Sequence, residues 1–423
     1  MNSPATNTQA KSYRSAFAMM VILFFMWGFI TCMNDILVPH LKALFNLDYA
    51  EAMLVQFCFF ATYAVMSLPM AAILEKISYK SGMVLGLITA GVGCFLFVPA
   101  AHLAIYGLFL LGLFVLATGV VMLQVTANPY VTLLGKPQLA SSRLTLAQAM
   151  NSLGTTIAPQ FGAALVLSTT VLAASVLAKM SPAQLHLYHT KLIHSVQTPY
   201  LLMMVLFFII AILIFQFKLP KLKSDKPIKI FSKDNLKVFK DPLLTLGAIA
   251  IFVYVGAEVS TGSLIVNFLN LPNIMHMDYQ VAAKYVSFYW GGAMIGRFIG
   301  SIILKKINPA KVILFNSLCA IALYVVLMFT HGKLAMWAIL AIGLFNSIQF
   351  PTIFALAVSR LGDETQFASG VLCTAIVGGA FVPLLQGILA DHIGLQYSFI
   401  IPLMCYLFIG YFGLKARNNV RGV

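Results

Sequence analysis

The sequence predicts an all-α membrane protein of twelve transmembrane helices, arranged as two pseudo-symmetric six-helix halves. Three observations predict it. Hydrophobic residues make up 61% of the chain and charged residues only 9%, with a mean hydropathy of +0.93, a balance that no water-soluble surface would tolerate over 423 residues. The apolar residues gather into twelve segments near the about 20 residues a bilayer span requires. Words from the first six segments also recur in the last six, ILEKIS at 73–78 as ILKKIN at 303–308 among them.

The predicted spans are 16–40, 52–73, 82–100, 103–127, 143–170, 199–217, 243–269, 281–304, 310–330, 333–358, 367–390 and 396–414. The first is too long and too rich in Phe for a cleavable signal peptide, and no A-x-A site follows it. ILEKIS joins the second span to the third, as ILKKIN joins the eighth to the ninth. In the fourth span Gln124 and Pro129 are echoed by Gln349 and Pro351 of the tenth. Gly154 to Pro159 in the fifth matches Gly378 to Pro383 in the eleventh, both G-x4-P. The expected organisation is a first half at 1–217, a basic linker at 218–242 and a second half at 243–423. Such a pair of diverged copies describes the major facilitator architecture, in which substrate binds between the halves near mid-bilayer and the halves rock. The short tail KARNNVRGV leaves no room for a signalling domain, which argues against a sensor or receptor on a transporter scaffold.

The net charge of +15 is distributed as membrane topology rather than as a nucleic-acid footprint. Of 27 Lys and Arg, all but five lie on the side of the termini, the linker and the even-to-odd connections. The positive-inside rule makes that side cytoplasmic, so a multi-pass protein of a bacterial inner membrane with both termini inside is expected. Lys218 through Lys240 carries eight lysines and reads as a topological anchor. The six cysteines lie in apolar segments without CxxC or CxxH spacing, and are read as small core residues with no metal or disulfide role. There is no G-x-x-x-x-G-K-[ST] loop and no Ser/His/Asp or metal cluster, so the chain is not expected to be an enzyme or to hydrolyse ATP. Its energy then comes from a gradient, its cofactors are none beyond a coupling ion, Na+ or H+, and its partners are a small-molecule substrate and membrane lipid. It is expected to act as a monomer.

Polar residues inside the spans carry the chemistry. Asp35 stands in WGFITCMNDILVP with no cation between Arg14 and Lys42. Burying it costs about 2.5–3.5 kcal/mol on insertion scales, so it is expected to face a polar cavity and bind something positive. Glu258, midway along the seventh span, occupies the repeat-equivalent helix, and the two carboxylates are expected to carry a proton or to ligate sodium. Two facing negative charges favour sodium. Arg297, near the cytoplasmic end of the eighth span, is expected to snorkel or to pin a gate between helices. The amides Asn34, Gln124, Asn128, Gln148, Asn151, Asn267, Asn346, Gln349 and Gln386 both donate and accept, which suits vicinal hydroxyls. Trp27, Tyr289, Trp290 and Phe350 offer flat surfaces for the C–H faces of a sugar, and Trp337 suits an interfacial belt. Hydrogen bonding between helices is the competing reading for each amide.

At these residues the chain resembles the fucose permease and glucose/galactose transporter branch of the major facilitator superfamily. The words that carry the resemblance are NDILVPHLK at 34–42, ANPYVTLLG at 127–135, LAQAMNSLGT at 146–155, KMSPAQL at 179–185, SVQTPY at 195–200, YWGGAMIGRF at 289–298 and FNSIQFPTIF at 345–354. The resemblance implies that Asp35 is an essential cavity carboxylate and that Gln148 and Asn151 face the sugar. It also implies a departure: where the fucose permease carries a coupling glutamate before ANP, this chain has Gln124, and Phe350 stands where the permease has tyrosine. Glu258 looks like an acidic position of the glucose/galactose subgroup, some members of which use sodium. The expected function is import of a hexose, glucose or galactose, by symport with Na+ or H+. The alternatives are L-fucose:proton symport and proton-driven export of drugs or metabolites, which would want a larger, more apolar cavity and few paired amides.

Overall fold

A computed structural model describes residues 13–29, 49–103, 105–166, 180–220, 238 and 240–419. Among these the chain is helical with no strand, as lipid demands of backbone groups that have no water to bond. Twelve helices fall on the twelve predicted segments. The first half holds α1 (Tyr13–Phe29), α2 (Tyr49–Lys76), α3 (Tyr79–Leu103), α4 (Tyr106–Leu133), α5 (Ala140–Val166) and α6 (Pro182–Gln216). The second holds α7 (Pro242–Asn270), α8 (Tyr279–Ile303), α9 (Pro309–Phe329), α10 (Gly332–Val358), α11 (Thr365–Ile393) and α12 (Leu395–Arg417). Asn34 and Asp35 lie outside the described residues.

Helix starts follow capping chemistry. Ser181 and Gln184 form a reciprocal capping box with Pro182 at the first position. Asp241 accepts from the Leu243 amide at 2.7 Å, and Asn308 from that of Ala310 at 2.9 Å, again before prolines. The capping box starts α6 well before the expected 199. The extra turns, LHLYHTKLIHSVQT, are too polar for lipid, so a helix of 35 residues, about 52 Å long at 1.5 Å per residue, runs out past the bilayer. Likewise α4 continues to Leu133 rather than ending at 127: Arg143 donates to the Val131 and Thr132 carbonyls that its last turn would otherwise leave unpaired, and to the Lys136 carbonyl just beyond it.

The halves repeat in three dimensions where the sequence repeats. A Cβ on Gly154 of α5 would collide with the backbone carbonyl of Phe25 in α1, and one on Gly378 of α11 with that of Phe252 in α7. Glycine at both places lets the paired helices pack backbone to backbone.

Two prolines free carbonyls that the fold then uses. Pro129 has no N–H to give to Val125, and the Val125 carbonyl accepts instead from Ser369 Oγ of α11 at 3.0 Å. Pro351 leaves the Ser347 carbonyl free at the point where α10 breaks, and Arg297 Nε of α8 fills it at 3.1 Å.

Contacts between the halves start at the end of the bundle where α2, α4 and α8 finish and α5 and α11 begin. There Ser142 Oγ of α5 donates to Ser301 O of α8 at 2.6 Å, and α11 packs on α2 and α4. Toward the other end, α7 and the Gly332–Asn346 stretch of α10 pack against helices of their own half.

Candidate functional site

The centre of the described interface is built around Arg297. Its guanidinium does not snorkel: six residues inside the end of α8 it turns inward, with only 14% of the side chain exposed. Nη2 lies 3.5 Å from Glu258 Oε1 of α7, Nε holds the Ser347 carbonyl of α10, and Nη1 donates to Ser152 Oγ of α5 in the opposite half. One side chain thus ties three helices of the second half to one of the first. An isolated cation at this depth would be expensive. Glu258, itself 13% exposed, supplies the countercharge.

This geometry corrects the expectation for Glu258. Expected to carry the coupling cation together with Asp35, Glu258 has its charge matched by Arg297 of its own half. The sequence reading failed because α7 and α8 are neighbours in space, which makes Glu258 and Arg297 partners although they stand 39 residues apart.

Behind the pair sits a hydroxyl network. The Tyr289 hydroxyl donates to the Glu258 carbonyl at 3.2 Å, Asn346 Nδ2 donates to that hydroxyl, Tyr406 donates to Asn346 Oδ1, and Tyr254 donates to the Asn346 carbonyl at 3.1 Å. Every polar atom of the Asn346 side chain therefore has a protein partner, and the residue is wholly buried. Its expected role at the sugar is replaced by that of a hub locking the second half. Gln386 is occupied in the same way, donating to Ser398 Oγ at 3.2 Å and accepting from Ser260. Gln349 is buried too, its Nε2 3.4 Å from Ser317 Oγ. Its buried Oε1 has no partner among the described residues, so bonding between helices accounts for Asn346 and Gln386 in full and for Gln349 only in part.

The first half is less saturated. Gln148 of α5 is half-buried and its side-chain amide makes no hydrogen bond among the described residues, although its carbonyl accepts from Ser152 Oγ at 3.1 Å. Asn151 spends its Nδ2 on the Phe24 carbonyl of α1 at 3.0 Å. Gln124 of α4 is half-buried, and its Oε1 accepts from Asn128 Nδ2 at 2.7 Å, one turn on, while the buried Asn128 Oδ1 has no partner. Gln148 thus keeps a whole amide for a ligand, whereas Asn151 keeps its oxygen.

The aromatic expectations divide. Trp27 and Tyr289 are packed away inside the helix bundle, leaving no face for a sugar. Phe350 is half-buried against Phe354, and Trp290 is 41% exposed, edge-on to Tyr289. Asn267 is exposed one turn from the end of α7, away from the Arg297 cluster, and Trp337 is exposed beside Phe288.

Sequence reasoning missed Ser142, Ser152, Ser301 and Ser369, which bond across the halves. One of their partners carries a sequence signal: a mid-helix proline implies a free carbonyl four residues earlier, and that rule points to Val125, the partner of Ser369, as it does to Ser347, which Arg297 fills.

Residues 16–376 match the sequence profile of the Major Facilitator Superfamily. The chain belongs to this superfamily. Among curated members it is 52% identical to the glucose/galactose transporter of Brucella abortus, over 97% of this chain and 96% of that one. It is 44% identical to a putative glucose/galactose transporter of Helicobacter pylori, over 97% and 99%. The L-fucose-proton symporter of Escherichia coli is 35% identical over 95% and 93%. A crystal structure of the major facilitator transporter FucP in the outward conformation superposes with a TM-score of 0.89 at 35% identity, covering 96% of this chain and 99% of that one. The chain is accordingly a transporter rather than an enzyme, and its major facilitator halves meet through α5–α8 and α11 with α2 and α4.

Proposed function

We propose that this transporter imports a hexose, glucose or galactose, in symport with one cation carried at Asp35. Near-full-length identity of 52% to a protein named a glucose/galactose transporter supports the sugar class. The observation that carries the coupling reading is the Glu258–Arg297 pair. With Gln124 unable to titrate and Glu258 beside Arg297, Asp35 is the carboxylate left for coupling, in a stretch of sequence with no cation between Arg14 and Lys42. A lone carboxyl holds a proton without further ligands, whereas sodium wants several oxygens, and Oε1 of Glu258 is engaged by Arg297. The proton is therefore the cation this arrangement favours, in place of the sodium that two facing carboxylates would have favoured.

Alternating access follows from the same contacts. With the termini and linker on the cytoplasmic side, as the lysine distribution directs, the bonds Ser142–Ser301, Arg297–Ser152 and Ser369–Val125 close that side. Inward opening must break all three. Sugar bound at Gln148 sits one helical turn from Ser152, so filling the site and holding the gate act on the same stretch of α5. The test is uptake of a panel of labelled hexoses by proteoliposomes under an imposed pH gradient or an imposed sodium gradient. Accumulation of glucose or galactose driven by pH alone supports the reading. A strict sodium requirement overturns the proton, and transport of fucose to the exclusion of both hexoses overturns the sugar.

A further inference from the structure

Away from the half-interface, on the lipid-facing surface, α3 and α6 leave a groove of about 360 Å³ lined by Lys80, Ser81, Val84, Leu85, Ile88 and Phe215. Its polar and apolar parts are segregated along α3. Lys80 and Ser81 stand in the first turn, and Val84, Leu85 and Ile88 follow along the same helix to about 12 Å below Lys80 at 1.5 Å per residue. Phe215, in the last turn of α6, forms the opposite wall, 68% exposed, and Lys80 Nζ sits 5.5 Å from its ring centroid. The ammonium is therefore held at the rim over the apolar slot, although a lysine on a lipid-facing helix end is free to extend into water. Beside it, Ser78 and Ser81 share a hydroxyl contact of 3.1 Å on an exposed surface. The nearest basic residues in sequence, Lys76 and Lys218, are both exposed.

A cation and hydroxyl donors above a slot two helical turns deep complement a phosphodiester above an acyl chain. We propose that this groove binds one anionic glycerophospholipid of the leaflet on the linker side, with its phosphate at Lys80 and Ser81 and the upper part of one chain along Val84, Leu85, Ile88 and Phe215. A zwitterionic lipid brings its own ammonium against Lys80 and Lys76 and is bound less well. The site lies on two helices of the first half, at the end where the halves touch.

The experiment uses the full-length protein in phosphatidylcholine vesicles, with Phe215→Trp placing an indole in the slot. Chain-brominated phosphatidylglycerol is compared with chain-brominated phosphatidylcholine at equal mole fraction, and the unsubstituted protein gives the background of Trp27, Trp290 and Trp337. Phosphatidylglycerol should occupy the groove about fivefold more favourably, the ratio for about 1 kcal/mol per interfacial lysine. Adding Lys80→Gln should remove most of that preference. Native mass spectrometry of the otherwise unsubstituted protein gives a second measurement, with one phosphatidylglycerol retained more tightly than phosphatidylcholine and released by Lys80→Gln. Equal quenching by the two lipids overturns the proposal, as does a preference untouched by Lys80→Gln. Displacement of the lipid by millimolar inorganic phosphate would make the groove a free-anion site and overturns it too.

Discussion

Replacing Glu258 with Gln removes the countercharge of Arg297 while keeping the shape of the side chain. In the native protein the two groups lie 3.5 Å apart with 14% and 13% of their side chains exposed. Breaking a buried pair by removing one partner costs about 3–5 kcal/mol, because a charge is left without compensation. Arg297 keeps its bonds to Ser347 and Ser152, so the low end, about 3 kcal/mol, is the expected loss. At about 2–4 °C per kcal/mol for a unit the size of one half, the apparent Tm of purified Glu258→Gln should fall by about 6–12 °C. The double variant Glu258→Gln with Arg297→Gln should recover much of that loss, since neither charge then remains. The assay is thermal unfolding at fixed scan rate for the wild type, both single variants and the double variant. A native-like Tm for Glu258→Gln, or a double variant that falls by the sum of the two singles, would refute the pairing as the reason both residues are there.

Asp35→Asn should leave the protein folded and inserted but abolish concentrative uptake, and a wild-type accumulation ratio against an imposed gradient would sink the coupling reading. Glu258→Gln, tested beside it at a temperature where it is folded, should still accumulate sugar. Gln148→Ala should weaken sugar binding by about 1–3 kcal/mol, read by calorimetry, because a buried hydroxyl loses its partner; unchanged affinity would place the sugar elsewhere. Ser369→Ala removes a bond between the halves without touching either titratable group, so it should raise the labelling rate of a cysteine introduced at the linker-side contact of α4 and α11. An unaltered rate would mean that the Ser369–Val125 bond does not hold the gate.

Much of the fold was legible because lipid leaves few options: a chain this apolar must satisfy its backbone within helices, and segment lengths then count them. The inaccurate boundaries were those where polar sequence stays helical, as in the Pro182 start of α6. The site was less legible. Amides look alike in sequence whether they serve a ligand or a neighbouring helix. Asn346 proved saturated because tyrosines at 254, 289 and 406 converge on it from three helices, while Gln148 has no partner among the described residues. That difference is tertiary and no local spacing encodes it.

The prolines mark the place where local sequence does reach into mechanism. Val125 and Ser347 sit four residues before Pro129 and Pro351, and each carbonyl is released from its helix by covalent necessity rather than by packing. A released carbonyl in a dry environment must find a donor from another element. In α10 the donor is Arg297, which the break thereby fixes in the position where it can also reach Ser152. In α4 the donor is Ser369, across the boundary between the halves. The same defect, present in both copies of the repeat, thus serves rigidity within one half and adhesion between the two. An acceptor that no intrahelical bond can reclaim favours renewed contact each time the halves close, which is the property a gate that must reopen and reseal requires.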